Sequence, residues 1–219
     1  MSNLEHVDSE YIISRVENRQ DFIRGRTGTI ISLGCYSECW DVSGREITKS
    51  LIAYFLKLGN PVQFATKRYV ASDDIIGLQK LIQWEGQLCI FISSVTITHW
   101  QTVERGTDSP QKRFSSFELI KKLGIPTYLY LKPILKGVTI KDLDNYKNIV
   151  REYAVSGVVV GSHFISNKVT LDNKIAPIGG GIFRYNSNND EVLISTELKE
   201  VTKTYSESTQ VIDFWRENV

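Results

Sequence analysis

The sequence predicts an α/β protein built on a parallel sheet. Five short β-branched runs recur along the chain and are nearly continuous in hydrophobicity rather than alternating, which is the pattern of strands buried on both faces. Between them, apolar residues recur at helical spacing. Strand and helix alternate, and parallel neighbours need crossover connections, which are right-handed. At 219 residues the chain is short of the roughly 250 that an eight-fold (βα) barrel usually needs.

Thr29-Ile-Ile-Ser-Leu33 reads as the first strand. Ser43-Gly-Arg-Glu46 has the form of a capping box, and Ile47, Leu51, Tyr54, Phe55 and Leu58 give the stripe of a helix that Gly59 stops. Val62-Gln-Phe-Ala65 is the second strand. A helix over Asp73 to Trp84 follows, striped by Ile75, Leu78 and Ile82 and ended by Gly86. Leu88-Cys-Ile-Phe-Ile-Ser93 is the third strand. Ser109 is placed as an N-cap with Pro110 at the first helical position, and Phe117, Ile120 and Leu123 form that helix's inner stripe before Gly124. Thr127-Tyr-Leu-Tyr-Leu131 is the fourth strand. Thr139 with Asp142 opens a helix through Leu143, Tyr146, Val150 and Tyr153, and Gly157-Val-Val-Val-Gly161 is the fifth strand.

The ends of the chain differ. Residues 1–27 form a polar segment with one apolar cluster (Tyr11, Ile12, Ile13) that suits a short helix. Residues 28–165 carry the βα rhythm, and 166–219 form a C-terminal extension. There Ile182-Phe-Arg-Tyr185 and Val192-Leu-Ile194 flank Asn186-Ser-Asn-Asn-Asp190, a hairpin signal. Ser208 is placed to cap a last helix through Val211, Phe214 and Trp215.

Composition narrows the class. The hydrophobic fraction is 42% and the charged fraction 23%, values of a globular protein rather than a disordered, fibrous or membrane-embedded one. With 26 basic and 25 acidic residues, nothing draws the chain as a whole to nucleic acid or anionic lipid. No basic patch interleaved with aromatics is present, so nucleic acid is not indicated as a partner. No apolar run approaches the roughly 18 residues of a membrane span, and the polar start shows no signal peptide. Three cysteines rule out a disulfide scaffold. The expectation is a cytoplasmic protein with reduced thiols.

In parallel sheets, ligands bind at the carboxyl ends of the strands. Those ends carry Ser37 and Glu38, then Thr66, Lys67 and Arg68, then Ser93 and Ser94 with Thr96, Thr98 and His99 beyond, then Lys132, and finally His163. Such a mouth suits a zwitterion, with a carboxylate near Lys67 and an ammonium near Glu38. His99 and His163 have the chemistry of an acid or base, although a histidine at a strand end is more often structural. His6 lies in the polar tail. Gly179-Gly-Gly181 precedes a strand rather than a helix, so it reads as a tight turn instead of a phosphate loop.

Gly28-Thr-Ile-Ile-Ser-Leu-Gly-Cys-Tyr-Ser-Glu38 resembles the second-strand segment of radical S-adenosylmethionine (SAM) proteins of the spore photoproduct lyase type, with Ser37-Glu38 in place of Thr-Asp. Ile47-Thr-Lys-Ser-Leu51 is similar to that family's next helix, and Pro61-Val-Gln-Phe-Ala-Thr-Lys67 to its third strand. Ser72-Asp-Asp74 matches the following stretch in part. Cys89-Ile-Phe-Ile-Ser-Ser94 resembles the fourth strand, Val103-Glu104 through Pro110-Gln-Lys-Arg113 the segment after it, and Leu123-Gly-Ile-Pro126 with Lys132-Pro-Ile-Leu135 the approach to and exit from the fifth. The resemblance covers about residues 24–163, and the order and spacing of the segments carry it.

The resemblance implies an incomplete TIM-type (βα) barrel with about five parallel strands, plus the C-terminal β-hairpin and helix. It implies SAM across the mouth: Ser37 and Glu38 at its amino group, Lys67 and Ser93 in polar contact. Glu104 and Arg113 are expected to form a structural ion pair. Such enzymes hold a [4Fe–4S] cluster on Cys-x-x-x-Cys-x-x-Cys after the first strand. Here the first βα unit matches the family's second, Cys35-x-x-x-Cys39 is present, and Val42 stands at the third spacing. Cys35 and Cys39, with Asp41 or a histidine, are the thiols to check for a metal. Two thiols alone do not define a site, so none is expected. Cys35, Cys39 and His163 are the catalytic candidates.

Three readings remain open. One is a subunit of a split radical SAM enzyme, whose cluster comes from a partner that also covers the open barrel edge; a homo-oligomer is the other way to cover it. Another is a cluster-less protein that binds SAM or a related nucleoside. The last is a non-radical α/β enzyme using Glu38, Lys67 and His163.

Overall fold

The computed structural model describes residues 8–34, 37–161, 163–166, 173–175, 182–186 and 189–218, with the backbone alone between 163 and 186. Cys35 and Gly179 to Gly181 lie outside the described residues, and His163 is placed by its backbone pairing only.

One parallel sheet of six strands organises the chain, in the order β1-β2-β3-β4-β5-β9. The strands are β1 (Ile31–Leu33), β2 (Val62–Thr66), β3 (Leu88–Ser93), β4 (Thr127–Leu131), β5 (Gly157–Val160) and β9 (Thr204–Tyr205). Adjacent strands pair in parallel throughout, from Ile31 opposite Val62 to Val159 opposite Tyr205. The sheet is not closed; β1 and β9 are its edges. The incomplete barrel is therefore as expected, with β9 added to the five predicted strands. At two residues, β9 is too short to show a hydrophobic period.

The outer face is covered by α2 (Arg45–Lys57), α3 (Ser72–Gln79), α5 (Pro110–Lys121), α6 (Leu143–Tyr153) and α7 (Asn189–Lys199). Leu51, Phe55, Ile75, Phe117, Tyr146 and Ile194 on these helices pack into one cluster with Val62, Phe64, Ile90, Ile92, Leu129 and Val158 of the strands. Side chains alternate along a strand, so Cys89, Phe91, Tyr128 and Val159 point to the inner face. There they meet Val211 and Ile212 of α8 (Ser208–Glu217). Each fully buried side chain of this kind contributes about 1.5–3 kcal/mol. Trp215 Nε1 donates to the Tyr128 hydroxyl at 2.7 Å, and Arg216 Nε donates to the Arg26 carbonyl at 2.9 Å. The last helix thus fills the concave side that the remaining strands of a closed barrel would enclose.

Several local expectations change. Ser43 does not cap α2: its hydroxyl donates to Asp41 Oδ1 at 2.9 Å, and the same oxygen accepts from the N–H of Gly44, the N-cap residue, at 2.8 Å. Ser109 does cap α5, accepting from the Lys112 N–H at 3.3 Å with Pro110 next in line. The helix predicted to Trp84 stops at Gln79. Thr139–Asp142 forms a 3-10 turn before α6.

The hairpin pairs differently from expectation. Val192 to Ile194 belong to α7, because Ile194 and Leu198 are four residues apart and both buried while Val192 and Leu193 are exposed. The strand β8 (Ile182–Asn186) pairs instead with β6 (His163–Ser166) and β7 (Asn173–Ile175) in an antiparallel sheet of three. Ser208 does not cap α8: Glu207 does, through a capping box with Gln210. The Ser208 hydroxyl instead accepts from Gln63 Nε2 at 3.1 Å. In the N-terminal segment, α1 (Ser9–Glu17) carries Tyr11, Ile12 and Ile13, with Asp8 as its cap.

Candidate functional site

The carboxyl ends of β1, β2 and β3 bring Glu38, Lys67 and Ser93 together. Thr66 pairs with Ile92, which places Lys67 beside Ser93 one residue beyond. Glu38 follows β1 and turns back onto β2. Its Oε1 accepts from the Thr66 hydroxyl at 2.6 Å and the Trp40 N–H at 2.9 Å; its Oε2 accepts from the Lys67 N–H at 2.8 Å. A carboxylate offers about four acceptor positions, so one position on Oε2 is left for a ligand. Ser37 stands exposed next to it.

Lys67 Nζ lies 3.4 Å from Glu104 Oε1, with 30% of its side chain exposed. Glu104 is the hub beneath it: Oε1 accepts from the Val95 N–H at 3.0 Å and Oε2 from Arg113 at 2.7 Å. Arg113 also donates to the Ser93 carbonyl at 2.5 Å. The predicted Glu104–Arg113 pair is present and buried, and it supports Lys67 and Ser93 from below.

Sequence reasoning missed the role of Asp142. The buried Asp142 reaches across to the loop after β3, where Oδ2 accepts from the Thr96 hydroxyl at 2.7 Å, the Ile97 N–H at 2.7 Å and the Thr98 N–H at 3.2 Å. Asp108 does the same for the loop after β2, accepting from the Tyr69 N–H at 2.8 Å and from Lys112 at 2.9 Å. The backbone N–H groups they hold are invisible in a sequence.

Three of these carboxyls sit below the usual carboxylate range. For Asp41 the donated Gly44 N–H is the largest cause. For Asp108 and Asp142 burial pushes upward most strongly of any one influence. The Tyr69 N–H and Lys112 outweigh it in the first case, and the Thr96 hydroxyl with the Ile97 and Thr98 N–H groups in the second. These three aspartates are thus spent on holding loops, and they are poorly placed to act as proton acceptors.

The two described thiols do not converge. Cys39 is half-buried, with Sγ 3.7 Å from the Ala65 carbonyl. Cys89 is buried on the inner face, donates to the Gly86 carbonyl at 3.4 Å, and has its pKa pushed up by burial. Gly86 precedes β3, so Cys89 lies toward the opposite end of the sheet from Cys39. Among the described residues, no group of three or more His, Cys, Asp and Glu is placed to hold a metal ion. A [4Fe–4S] cluster takes three thiolates; the chain has three cysteines in all and Cys89 stands apart from Cys39, so that site does not fit this chain alone. His99 is exposed at the start of the short helix α4 (Trp100–Val103), its N–H donating to the Thr96 hydroxyl at 3.2 Å. A cavity of about 490 Å³ lies elsewhere, between α1 and α2, lined by Ile13, Glu17, Ala53 and Tyr54 among others.

The fold is an incomplete (βα) barrel whose parallel sheet is not closed. Spore photoproduct lyase complexed with dinucleoside spore photoproduct is similar to this chain with a TM-score of 0.51 at 14% identity, covering 94% of this chain and 63% of the lyase. A double mutant of that enzyme with bound AdoMet and dinucleoside spore photoproduct gives 0.52 at 14% identity, with the same coverage. A single mutant with dinucleoside spore photoproduct gives 0.52 at 15% identity. At such identity the likeness is one of fold. The chain spans less than two thirds of the length of these lyases. No family model matches the sequence, and no curated protein matches it. No helix among the described residues is long and apolar enough to cross a membrane.

Proposed function

We propose that the mouth binds SAM or a related nucleoside, and that the chain is one subunit of a split radical SAM enzyme whose cluster is carried by a partner. The observation that supports the binding reading most is the juxtaposition of Glu38, Lys67 and Ser93 at three adjacent strand ends, on the fold of a lyase solved with AdoMet. The residues fit SAM. The open position on Glu38 Oε2 suits the ammonium, and the Lys67 ammonium suits the carboxylate. When Lys67 turns to a ligand, Glu104 keeps Arg113 and the Val95 N–H, so no buried charge is left unpaired. SAM would supply the sulfonium chemistry; this chain binds and orients it.

The split reading draws on the separation of Cys39 from Cys89 and on β1, which ends the sheet among the described residues and where a partner strand can add in parallel. The same thiols also favour the cluster-less binding protein as the second reading. A non-radical enzyme using Glu38, Lys67 and His163 has less support, because Glu38 ties the β1 loop to β2 and Lys67 is paired with Glu104, which suits binding more than proton transfer.

Calorimetry with SAM tests the binding. A dissociation constant at least tenfold weaker in Lys67→Ala is expected; no heat with the wild type, or equal affinity in the variant, sinks the reading. Co-purification with a protein bearing Cys-x-x-x-Cys-x-x-Cys, and an iron–sulfur absorbance only in the pair, separates the split enzyme from the cluster-less protein.

A further inference from the structure

Glu38 reaches the mouth from a loop that is pinned on both sides of it. Trp40 is fully buried and stacks on Phe64 of β2, with ring centroids 4.6 Å apart and planes 14° from parallel. The Thr48 hydroxyl of α2 donates to the Cys39 carbonyl at 2.7 Å. These contacts fix the backbone, but the side-chain torsions of a glutamate remain to be settled. Two successive groups at the end of β2 settle them. The Thr66 hydroxyl donates to Glu38 Oε1 at 2.6 Å, and the Lys67 N–H donates to Oε2 at 2.8 Å.

The surroundings of Thr66 commit its proton to Glu38. A hydroxyl carries one donor and two acceptor positions. The Arg68 N–H donates to the Thr66 oxygen at 2.9 Å, so the hydroxyl proton is turned the other way, and the chain from Arg68 through Thr66 to Glu38 strengthens link by link. The branched side chain restricts its own first torsion. Thr66 is 2% exposed, so water has no access with which to replace the hydroxyl. Thr66 and the Trp40 N–H occupy Oε1 and the Lys67 N–H occupies one side of Oε2, which leaves the open acceptor position of Glu38 a single direction.

We propose that Thr66 is the positioning residue that aims the Glu38 carboxylate, and that through it the mouth selects nucleosides carrying an ammonium group over those lacking one. The proposal rests on the SAM-binding reading and adds the residue that sets its selectivity. Thr66 acts through Glu38. A glutamate that is not aimed gives up its rotamer freedom only when the ligand binds, and that cost falls on the ammonium contact alone. The remainder of the nucleoside binds as before.

Calorimetry with SAM and with methylthioadenosine, which lacks the amino-acid part, tests this. Thr66→Val keeps the branched shape and removes the hydroxyl. It should weaken SAM binding about tenfold and methylthioadenosine binding by no more than about twofold. Thr66→Ser returns the hydroxyl and should bring SAM affinity back to within about threefold of the wild type. In a Glu38→Gln background, Thr66→Val should change SAM affinity by less than about twofold, because the two residues act as one unit. Amide exchange in the ligand-free protein reads the same arrangement without SAM: protection of the Lys67 N–H should fall in Thr66→Val and return in Thr66→Ser. If Thr66→Val does not fold, Thr66→Ala removes the same hydroxyl without pressing a methyl against Glu38, and the same outcomes apply to it. Equal losses for the two ligands, unchanged SAM affinity, unchanged Lys67 protection, no rescue by serine, or the full loss in the Glu38→Gln background each overturn the proposal and leave the SAM-binding reading standing. Failure of the wild type to bind SAM overturns that reading, and the proposal with it.

Discussion

Arg113 and Glu104 meet at 2.7 Å with side-chain exposures of 0% and 2%, beneath the residues that face the mouth. Neither charge can turn to water, so removing one strands the other. Arg113→Met should therefore destabilise the fold by about 3–5 kcal/mol. The loss comes from the buried Glu104, left with the Val95 N–H and the partly exposed Lys67, and from the Ser93 carbonyl, which loses the Arg113 donor. Arg113→Met with Glu104→Leu should cost clearly less than the two single losses added. Urea denaturation of the four proteins checks this, and additivity within about 0.5 kcal/mol would show that the pair does not act as a unit.

Trp215 gives a second test, of the helix that fills the concave face. Its ring lies against Gly86, where φ is +81° and an added Cβ would stand 2.1 Å from the Trp215 Cγ. Gly86→Ala should cost about 2–4 kcal/mol, from overpacking and from the left-handed backbone together. Trp215→Ala should cost about 3 kcal/mol through the lost burial and the lost Tyr128 partner. In the double variant the clash with the ring disappears, while the contact with the remaining Cβ at position 215, 2.5 Å away, and the backbone strain of about 1–2 kcal/mol stay beside the lost Trp215 burial. Its total should accordingly fall below the sum of the singles. A double variant as costly as that sum would mean that α8 does not rest on Gly86.

How much of this was legible in the sequence depends on the range of the interaction. The five longer strands and the helices between them follow from local periodicity, and Ser109-Pro110 marks a helix start because capping is local. The Glu104–Arg113 pair was legible through the family resemblance, and its short span of nine residues keeps both partners within one matched segment. From the sequence, Asp142 reads as part of a helix opening, because its partners Thr96 to Thr98 are more than 40 residues away. Val192 to Ile194 misled through composition: three apolar residues suit a strand or a helix, and Leu198 one turn on decides it.

Acid should loosen the mouth before the core. Asp142 has its carboxyl held below the ordinary range, so its contribution to stability is complete above the unfolded value of about 3.9 and fades as pH falls toward the lower folded value. Asp41 and Asp108 act in the same direction. Stability should therefore drop as pH falls below about 4, with amide protection at Ile97 and Thr98 among the first to go. Asp142→Asn should be less stable at neutral pH, and its stability should vary less across the acidic range. A wild type and variant with parallel pH profiles would remove Asp142 as the source.

Glu38 carries the sharpest test of ligand orientation. With three donors already on its carboxylate, it can add one ligand contact, and that contact must come from a donor. Glu38→Gln keeps the shape but removes the charge and one acceptor end. If the Glu38 oxygen meets the ammonium of SAM, the variant should bind SAM at least tenfold more weakly. It should bind methylthioadenosine, which lacks the amino-acid part, within about twofold of the wild type once the stability loss of about 1–3 kcal/mol is allowed for. Equal losses for both ligands would mean that Glu38 only ties the β1 loop to β2, and the ammonium would then have to be sought elsewhere on the mouth, with the exposed Ser37 hydroxyl as the next group in reach.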